Sequence, residues 1–243
     1  PVKGTLIREG VPSILNRDDA NALEEALKVK DQYPETHITV ITMGPPQAKD
    51  MLTDCLALGA DEAILLSDRA LGGSDTWATS NAIAAGIKKI GDFDLIFAGR
   101  QAIDGDTAQV GPQLAEKLGL PQVTYVRDFS FNGRDVTVKR ALENGYEVIE
   151  LQMPCLLTAI KELNKPRYMS VKGIYKACEQ EITVWNAEDI SIDLKRVGLK
   201  ASPTNVHRSF TPAPKGRGIM VEGDPPKDTV DNLMKSLREK HII

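Results

Sequence analysis

DLIFAGRQAIDGDTAQVGPQLAEKL, residues 94–118, joins two kinds of chain. DLIFAG is an apolar run of strand length. TAQVGPQLAEKLG spaces Val110, Leu114 and Leu118 four apart, as on one helix face. A strand passing through a glycine-bearing turn into a helix is half of a parallel strand–helix–strand unit.

The same alternation extends outward on both sides. NRDDANALEEALKVKDQY (16–33) predicts a helix with Leu23, Ala26, Leu27 and Lys30 on one face and Asn16 or Asp18 as cap. HITVITMG (37–44) predicts a buried strand stopped by Gly44-Pro45-Pro46. QAKDMLTDCLALGA (47–60) predicts a helix ended by Gly59. EAILLSD (62–68), DTWATSNAIAAGIKKIG (75–91) and QVTYV (122–126) continue the series. Strands alternating with helices through short connections predict parallel pairing and an open, doubly wound α/β fold.

The pattern changes after residue 130. DVTVKRALENGYEVIELQM (135–153) alternates with period two around Asn144-Gly145, which predicts an antiparallel hairpin. PCLLTAI (154–160) is a further apolar run, and residues 161–185 mix helical and strand pieces. Residues 202–227 hold five prolines and three glycines, which predicts an extended arm, and DTVDNLMKSLREKH closes as an amphipathic helix. The expected division is an α/β domain over 1–201 and an arm with its helix over 202–243.

Composition narrows the function classes. The 243 residues are 42% hydrophobic and 26% charged with a net charge of −4, which gives no basic stripe for nucleic acid. No run of eighteen apolar residues is present to span a membrane. Cys55, Cys155 and Cys178 are far apart, as are His37, His207 and His241, so spacing predicts neither a disulfide framework nor a metal cluster. The cysteine usage fits a reducing compartment, and a cytoplasmic location is expected. Asp18-Asp19 and Glu24-Glu25 read as helix-start and solvated-face charges. Trp77 and Trp185 read as packing residues, with Trp77 placed to touch a ligand.

In an open parallel sheet, ligands bind outside the carboxyl ends of the strands. The loops there are MGPPQ (43–47), SDRALGGSDT (67–76) and GRQAIDGDT (99–107), and the last two are longer than such a connection needs. In the third, Asp106 followed by Gln109 matches a capping box, and a carboxylate at a helix start competes with phosphate for the same N–H groups. The loop has no lysine, so it is not the phosphate loop of nucleotide hydrolases. The backbone of Gly105–Ala108, the Thr107 hydroxyl and the Gln109 amide suit a pyrophosphate held without chemistry on it. Redox work would then belong to a cofactor.

These residues match a known family. AGRQAIDGDTAQVGPQLAEKLGLP (98–121) closely resembles the nucleotide-binding signature of electron-transfer flavoprotein β subunits. ILNRDDANALEEALKVKD (14–31), VKRALENGYEVIELQMPCLLT (138–158) and LNKPRY (163–168) resemble the first helix, the second signature and the start of the partner-recognition loop. The resemblance implies a heterodimer with an FAD-bearing α subunit, in which the β subunit holds a second adenine nucleotide. In mitochondrial-type members this is AMP; in electron-bifurcating members it is FAD, which takes hydride from NADH. One electron then goes to ferredoxin or flavodoxin and the other, through the α-subunit FAD, to an acyl-CoA or 2-hydroxy-acid dehydrogenase.

GVPSILNRDDANALEEAL and LLSDRALGGSDTWATSNAIAAGIKKI resemble the bifurcating kind, so FAD is expected, with AMP as the alternative. The implied nucleotide contacts are Asn16, Met43, Gln101, Ala102, Ile103, Asp104, Gly105, Asp106, Thr107, Ala108, Gln109 and Gly111. The hydroxyls of Ser74, Thr76 and Thr79 extend this set toward the flavin ring. There are departures from the family pattern. The usual first strand and its Lys-x-Val/Ile-Pro segment are not found ahead of PVKGTLIREG, so a missing first strand is expected. Arg17 stands where many relatives have Pro, Asn144 replaces an acidic residue, and Val171 takes the place of an anchoring Leu.

Overall fold

The computed structural model describes residues 10, 12–204, 206–207 and 210–243. The opening PVKGTLIREG, apart from Gly10, lies outside them. The chain divides into two units, Pro1–His207 and Arg208–Ile243.

The first unit begins with the expected alternation. In order it has α1 (Arg17–Gln32), β1 (Thr39–Met43), α2 (Ala48–Leu58), β2 (Glu62–Leu66), α3 (Thr76–Ile90), β3 (Leu95–Gly99) and α4 (Val110–Leu118). There follow β4 (Gln122–Asn132), β5 (Asp135–Leu142), β6 (Gly145–Gln152), β7 (Cys155–Ala159), α5 (Val171–Glu179) and β8 (Thr183–Trp185). The strands form two ladders, β1-β2-β8 and β3-β7-β4-β5-β6. Every pairing among β1, β2, β8, β3, β7 and the first part of β4 is parallel.

Period-two alternation explains why helices cover both faces. On β2, Ala63 and Leu65 join a core with Leu23 and Leu27 of α1, Leu52 and Cys55 of α2 and Ala177 of α5. The alternate residues, Ile64 and Leu66, face a second core with Ala82 of α3, Leu71 and Ile190. On β7, Leu156 packs with Leu114 and Ala115 of α4, while Cys155 and Leu157 face Val123, Val126, Val136 and Val138. The segment read as a mixed loop supplies β8, whose residues 183–185 run parallel to β2.

β4 changes partner partway along. It pairs in parallel with β7 up to Val126 and is antiparallel to β5 from there on. Tyr125 sits at the register shift with φ 57°, and its N–H donates to Thr158 Oγ1 at 3.1 Å. The expected hairpin is present, one residue earlier: Leu142 pairs with Gly145 across Glu143-Asn144. A second hairpin closes β4 to β5 across Gly133-Arg134, with Gly133 at φ 59°.

Glu24 and Glu25 are not solvated. Both are buried, and so is Asn21. Glu24 accepts from the Arg167 backbone N–H (3.0 Å), Nε (2.9 Å) and Nη2 (3.0 Å). Glu25 accepts from Lys28 Nζ (3.0 Å) and Asn164 Nδ2 (2.8 Å). A buried carboxylate must be paired; here the partners come from a segment some 140 positions away in the chain, which local charge patterning does not reveal.

The first unit also runs past the expected boundary at residue 201. Ser202 is buried, its Oγ accepts from the Asp75 N–H at 2.8 Å, and the Thr204 N–H donates to Asp75 Oδ2 at 2.9 Å. In the second unit, α6 (Pro226–Glu239) follows the proline-rich stretch. Its start is tied by Thr229 Oγ1 to Gly223 O (2.9 Å) and by Asn232 Nδ2 to Glu222 O (3.0 Å). Val230, Leu233 and Met234 lie at its surface. Among the described residues, no helix is long and apolar enough to cross a membrane, and no cluster of three or more ligating side chains could hold a metal.

Candidate functional site

β3 ends at Gly99, and the first turn of α1 sits on that end. The Gly99 N–H donates to Asp19 Oδ1 at 2.6 Å. A Cβ on residue 99 would lie 2.6 Å from the Asp19 backbone N and 2.9 Å from Asp18 C, so only glycine admits this approach. Beside it, Arg100 Nε lies 3.2 Å from Asp18 Oδ2. Burial raises the Asp19 carboxyl above its ordinary value. The hydrogen bonds from Asn16 and Gly99 oppose that rise, and the neighbouring Asp18 charge adds to it.

Asn16 occupies the N-cap position of α1 with extended backbone, but its side chain caps nothing. Asn16 Nδ2 instead donates to Asp19 Oδ2 (2.6 Å) and to the Gln101 carbonyl (2.9 Å). Both partners are acceptors, which fixes the amide orientation. Asn16 Oδ1 therefore faces the other way, buried and without a donor among the described residues.

The loop that follows is closed on itself. The Asp106 N–H donates to Ala102 O at 2.9 Å, and Gln101 Nε2 donates to Asp106 Oδ1 at 2.7 Å. Ala102, Ile103, Asp104, Gly105, Asp106 and Thr107 are exposed. The expected capping box does not form. α4 begins at Val110 with Gln109 at its N-cap, no side chain caps it, and the Asp106 carboxylate is held by Gln101. The reason is backbone geometry. Asp106 (φ 48°) and Ala108 (φ 52°) are left-handed while Thr107 between them is not, so helix cannot include residue 108 or anything before it.

Two consequences bear on ligands. No carboxylate competes at the start of α4, and the N–H groups of Gly105, Thr107, Ala108 and Gln109 find no acceptor among the described residues. Backbone that alternates in handedness turns successive N–H groups onto one concave side, which with a helix N-terminus makes an anion cradle. Gly111 seats that helix: a Cβ there would lie 2.6 Å from Thr158 Cγ2. Holding two non-glycine residues left-handed costs on the order of 1–3 kcal/mol each, strain of a kind that clusters at binding sites. The unmet acceptor on Asn16 and the donors of the loop fit the hydroxyl or amino groups and the phosphates of an adenine nucleotide.

Loop 67–76 is attached to this one. Thr76 Oγ1 donates to Gln109 Oε1 at 2.8 Å, and Gln113 Nε2 approaches Thr76 Oγ1 at 3.5 Å. Ser74 Oγ donates to Leu71 O (2.7 Å) and accepts from the Gly198 N–H (2.8 Å), so its proton is committed within the fold. Asp68 accepts from the Ala70 and Ala187 N–H groups, which hold its carboxyl below the usual range. Trp77 is half-buried with Lys117 Nζ 4.9 Å from its ring centroid.

The structure thus gathers Asn16, Gln101 and Asp106 into one hydrogen-bonded group and Thr76 with Gln109 into another. Met43 ends β1 and packs on the core around Leu66 and Leu71, while Thr79 lies half-buried on α3. Neither makes a side-chain hydrogen bond to the two groups. Reading for motifs missed Asp19 and Thr158, which hold the strand ends in place; the adjacent acidic pair at 18–19 was the available signal for the first.

The family model for the electron transfer flavoprotein domain matches residues 3–190. The chain is 61% identical over its whole length to the caffeyl-CoA reductase–Etf complex subunit CarD of Acetobacterium woodii, covering 93% of that protein. It is 58% identical, with the same coverage, to the electron transfer flavoprotein subunit beta of Clostridium acetobutylicum. To the acryloyl-CoA reductase electron transfer subunit gamma of Anaerotignum propionicum it is 49% identical over 99% of the chain and 92% of the relative. With a family model matching residues 3–190 and relatives agreeing over the whole chain, the chain belongs to the electron transfer flavoprotein family, among its β subunits.

Proposed function

We propose that the cradle at 101–111, with Asn16, holds the adenosine-diphosphate half of an FAD in an NADH-linked, electron-bifurcating complex. The observation that carries this reading is the set of N–H groups at Gly105 and Thr107–Gln109, leading into α4, that have no acceptor among the described residues. Bound there, a flavin would supply the redox chemistry for taking hydride from NADH and dividing its two electrons between ferredoxin or flavodoxin and the FAD of the α subunit. The chain's own part is positional. The loop backbone binds pyrophosphate, Asn16 Oδ1 takes a donor from ribose or adenine, and the Thr76–Gln109 bond fixes the distance between the two loops. The relatives named for caffeyl-CoA and acryloyl-CoA reductases support an acyl-CoA-type dehydrogenase as final partner, ahead of a 2-hydroxy-acid dehydrogenase.

One observation favours the alternative, a non-bifurcating carrier with AMP as structural ligand. The protons of Ser74 and Thr76 are already donated within the protein, which leaves Thr79 as the hydroxyl of loop 67–79 best able to donate to a flavin ring. Anaerobic titration of the heterodimer with NADH separates the readings. Bleaching of flavin absorbance is expected; the absence of bleaching refutes the hydride-accepting flavin and supports AMP.

A further inference from the structure

α1 touches two places that matter and is one unbroken helix between them. At its N-terminus, Asn16 and Asp19 hold Gln101 and Gly99 at the root of the cradle. From one to four turns on, its polar face holds the segment that leads into α5. Asn21 and Asn164 exchange amide-to-carbonyl hydrogen bonds at 2.9 Å in both directions. Glu25 takes a further Asn164 proton, and Glu24 takes three donors of Arg167. Arg167 Nη2 also reaches Asp31 Oδ2 at 2.6 Å, drawing on the last turn of the helix. From Asn16 to Glu24 is about 12 Å and to Asp31 about 22 Å at the ordinary helical rise.

Immediately after this clamp the chain turns outward. Tyr168 is 92% exposed and Val171 86%, with Met169, Ile174 and Tyr175 also at the surface. The clamp is polar and its Asn21, Glu24 and Glu25 are buried, so an arrangement that withdrew Arg167 or Asn164 would leave a buried charge unpaired. Movement of α1 relative to β3 would therefore pull Arg167 and Asn164 with it.

We propose that α1 couples the nucleotide cradle to the outward segment 168–175, so that nucleotide bound at 101–111 rigidifies residues 164–175 and a partner seated there tightens nucleotide binding in return. Arg167 acts as a positioning residue, through Glu24 and α1. The inference rests on the proposed nucleotide site and on the exposed apolar side chains of 168–175 as a partner-facing segment. Coupling between two binding sites is reciprocal, so each half of the proposal predicts the other.

The test is amide hydrogen exchange on the complete heterodimer, nucleotide-depleted and then loaded with FAD or with AMP. Exchange is expected to slow by about fivefold or more at both 99–111 and 164–175, with 145–152 in the distant hairpin unchanged. In Arg167→Gln the protection at 99–111 remains and the response at 164–175 is lost; Arg167→Lys, which keeps one ion pair, retains part of it and serves should Arg167→Gln fail to fold. Slowing at 99–111 alone overturns the coupling and leaves the nucleotide site standing. Uniform slowing that includes 145–152 also overturns it, since the effect is then global stabilisation. No slowing at 99–111 with either nucleotide overturns the site itself.

Discussion

Gly99→Ala is the substitution that most cleanly asks whether the seat of α1 on β3 holds the site together. The new Cβ would lie 2.6 Å from the Asp19 backbone N and 2.8 Å from Asp19 Cγ. Ordinary contact starts near 3.4 Å, so the helix end must retreat by roughly 0.8 Å. Backbone sets the limit here, and no side-chain rotation relieves it. A retreat of that size stretches the Gly99–Asp19 bond from 2.6 Å and the Asn16–Gln101 bond from 2.9 Å toward or past useful length. The first is charge-assisted, worth about 1.5–3 kcal/mol, and the second about 1 kcal/mol. Loss of both lowers stability by about 2.5–4 kcal/mol, which in a unit of this size moves the melting temperature down by about 10 °C. Loss of the Asn16 contact alone weakens nucleotide binding about fivefold. The assay is thermal unfolding of the heterodimer together with nucleotide titration of its depleted form. Gly105→Ala is the control, since a Cβ there meets nothing within 4 Å and leaves stability unchanged. A Gly99→Ala protein with wild-type melting temperature and nucleotide affinity would refute the reasoning.

Other substitutions probe separate parts of the account. Thr76→Val removes the bridge to Gln109 and should raise the nucleotide dissociation rate about fivefold, read by stopped-flow displacement, with the melting temperature within about 2 °C of wild type. Ala108→Gly relieves left-handed strain at φ 52° and should raise the melting temperature by about 2–4 °C while loosening nucleotide binding severalfold. The pH dependence follows from the carboxylates. Asp68, held below 3.8 by the Ala70 and Ala187 N–H groups, contributes stability above pH 3.8 that is lost as pH falls through its lower folded value. Asp68→Asn should therefore flatten the acid limb of denaturant stability below about pH 4, and an unchanged limb refutes the assignment. Asp19, raised chiefly by burial, works in the opposite sense: its contribution is present below 3.8 and lost as pH rises through its folded value.

Much of the fold was readable because its signals are local. Apolar runs such as EAILLSD and the spacing of Leu52 and Cys55 mark strand and helix whatever lies beside them. The cradle was readable as a place, since loops at strand ends are found by counting elements. Its geometry was not. The Asp106–Gln109 spacing matches a capping box, yet left-handed backbone at Asp106 and Ala108 delays the helix to Val110, and nothing in the residue types requires that conformation. Glu24 and Glu25 look like surface charges until Arg167 and Asn164 arrive from far along the chain. β8 is three residues long and owes its place to an open edge of β2, which no local pattern encodes. The turn at Gly133 carried a usable Asn-Gly signal in FNGRD, overshadowed by the second Asn-Gly at 144–145.

The central claim is that the cradle formed by Asn16 and residues 101–111 holds FAD. The most direct test is to denature the purified heterodimer and measure which nucleotides are released and in what ratio to protein. The account predicts two FAD per heterodimer and no AMP. One FAD with one AMP would contradict it and leave a carrier with a structural nucleotide.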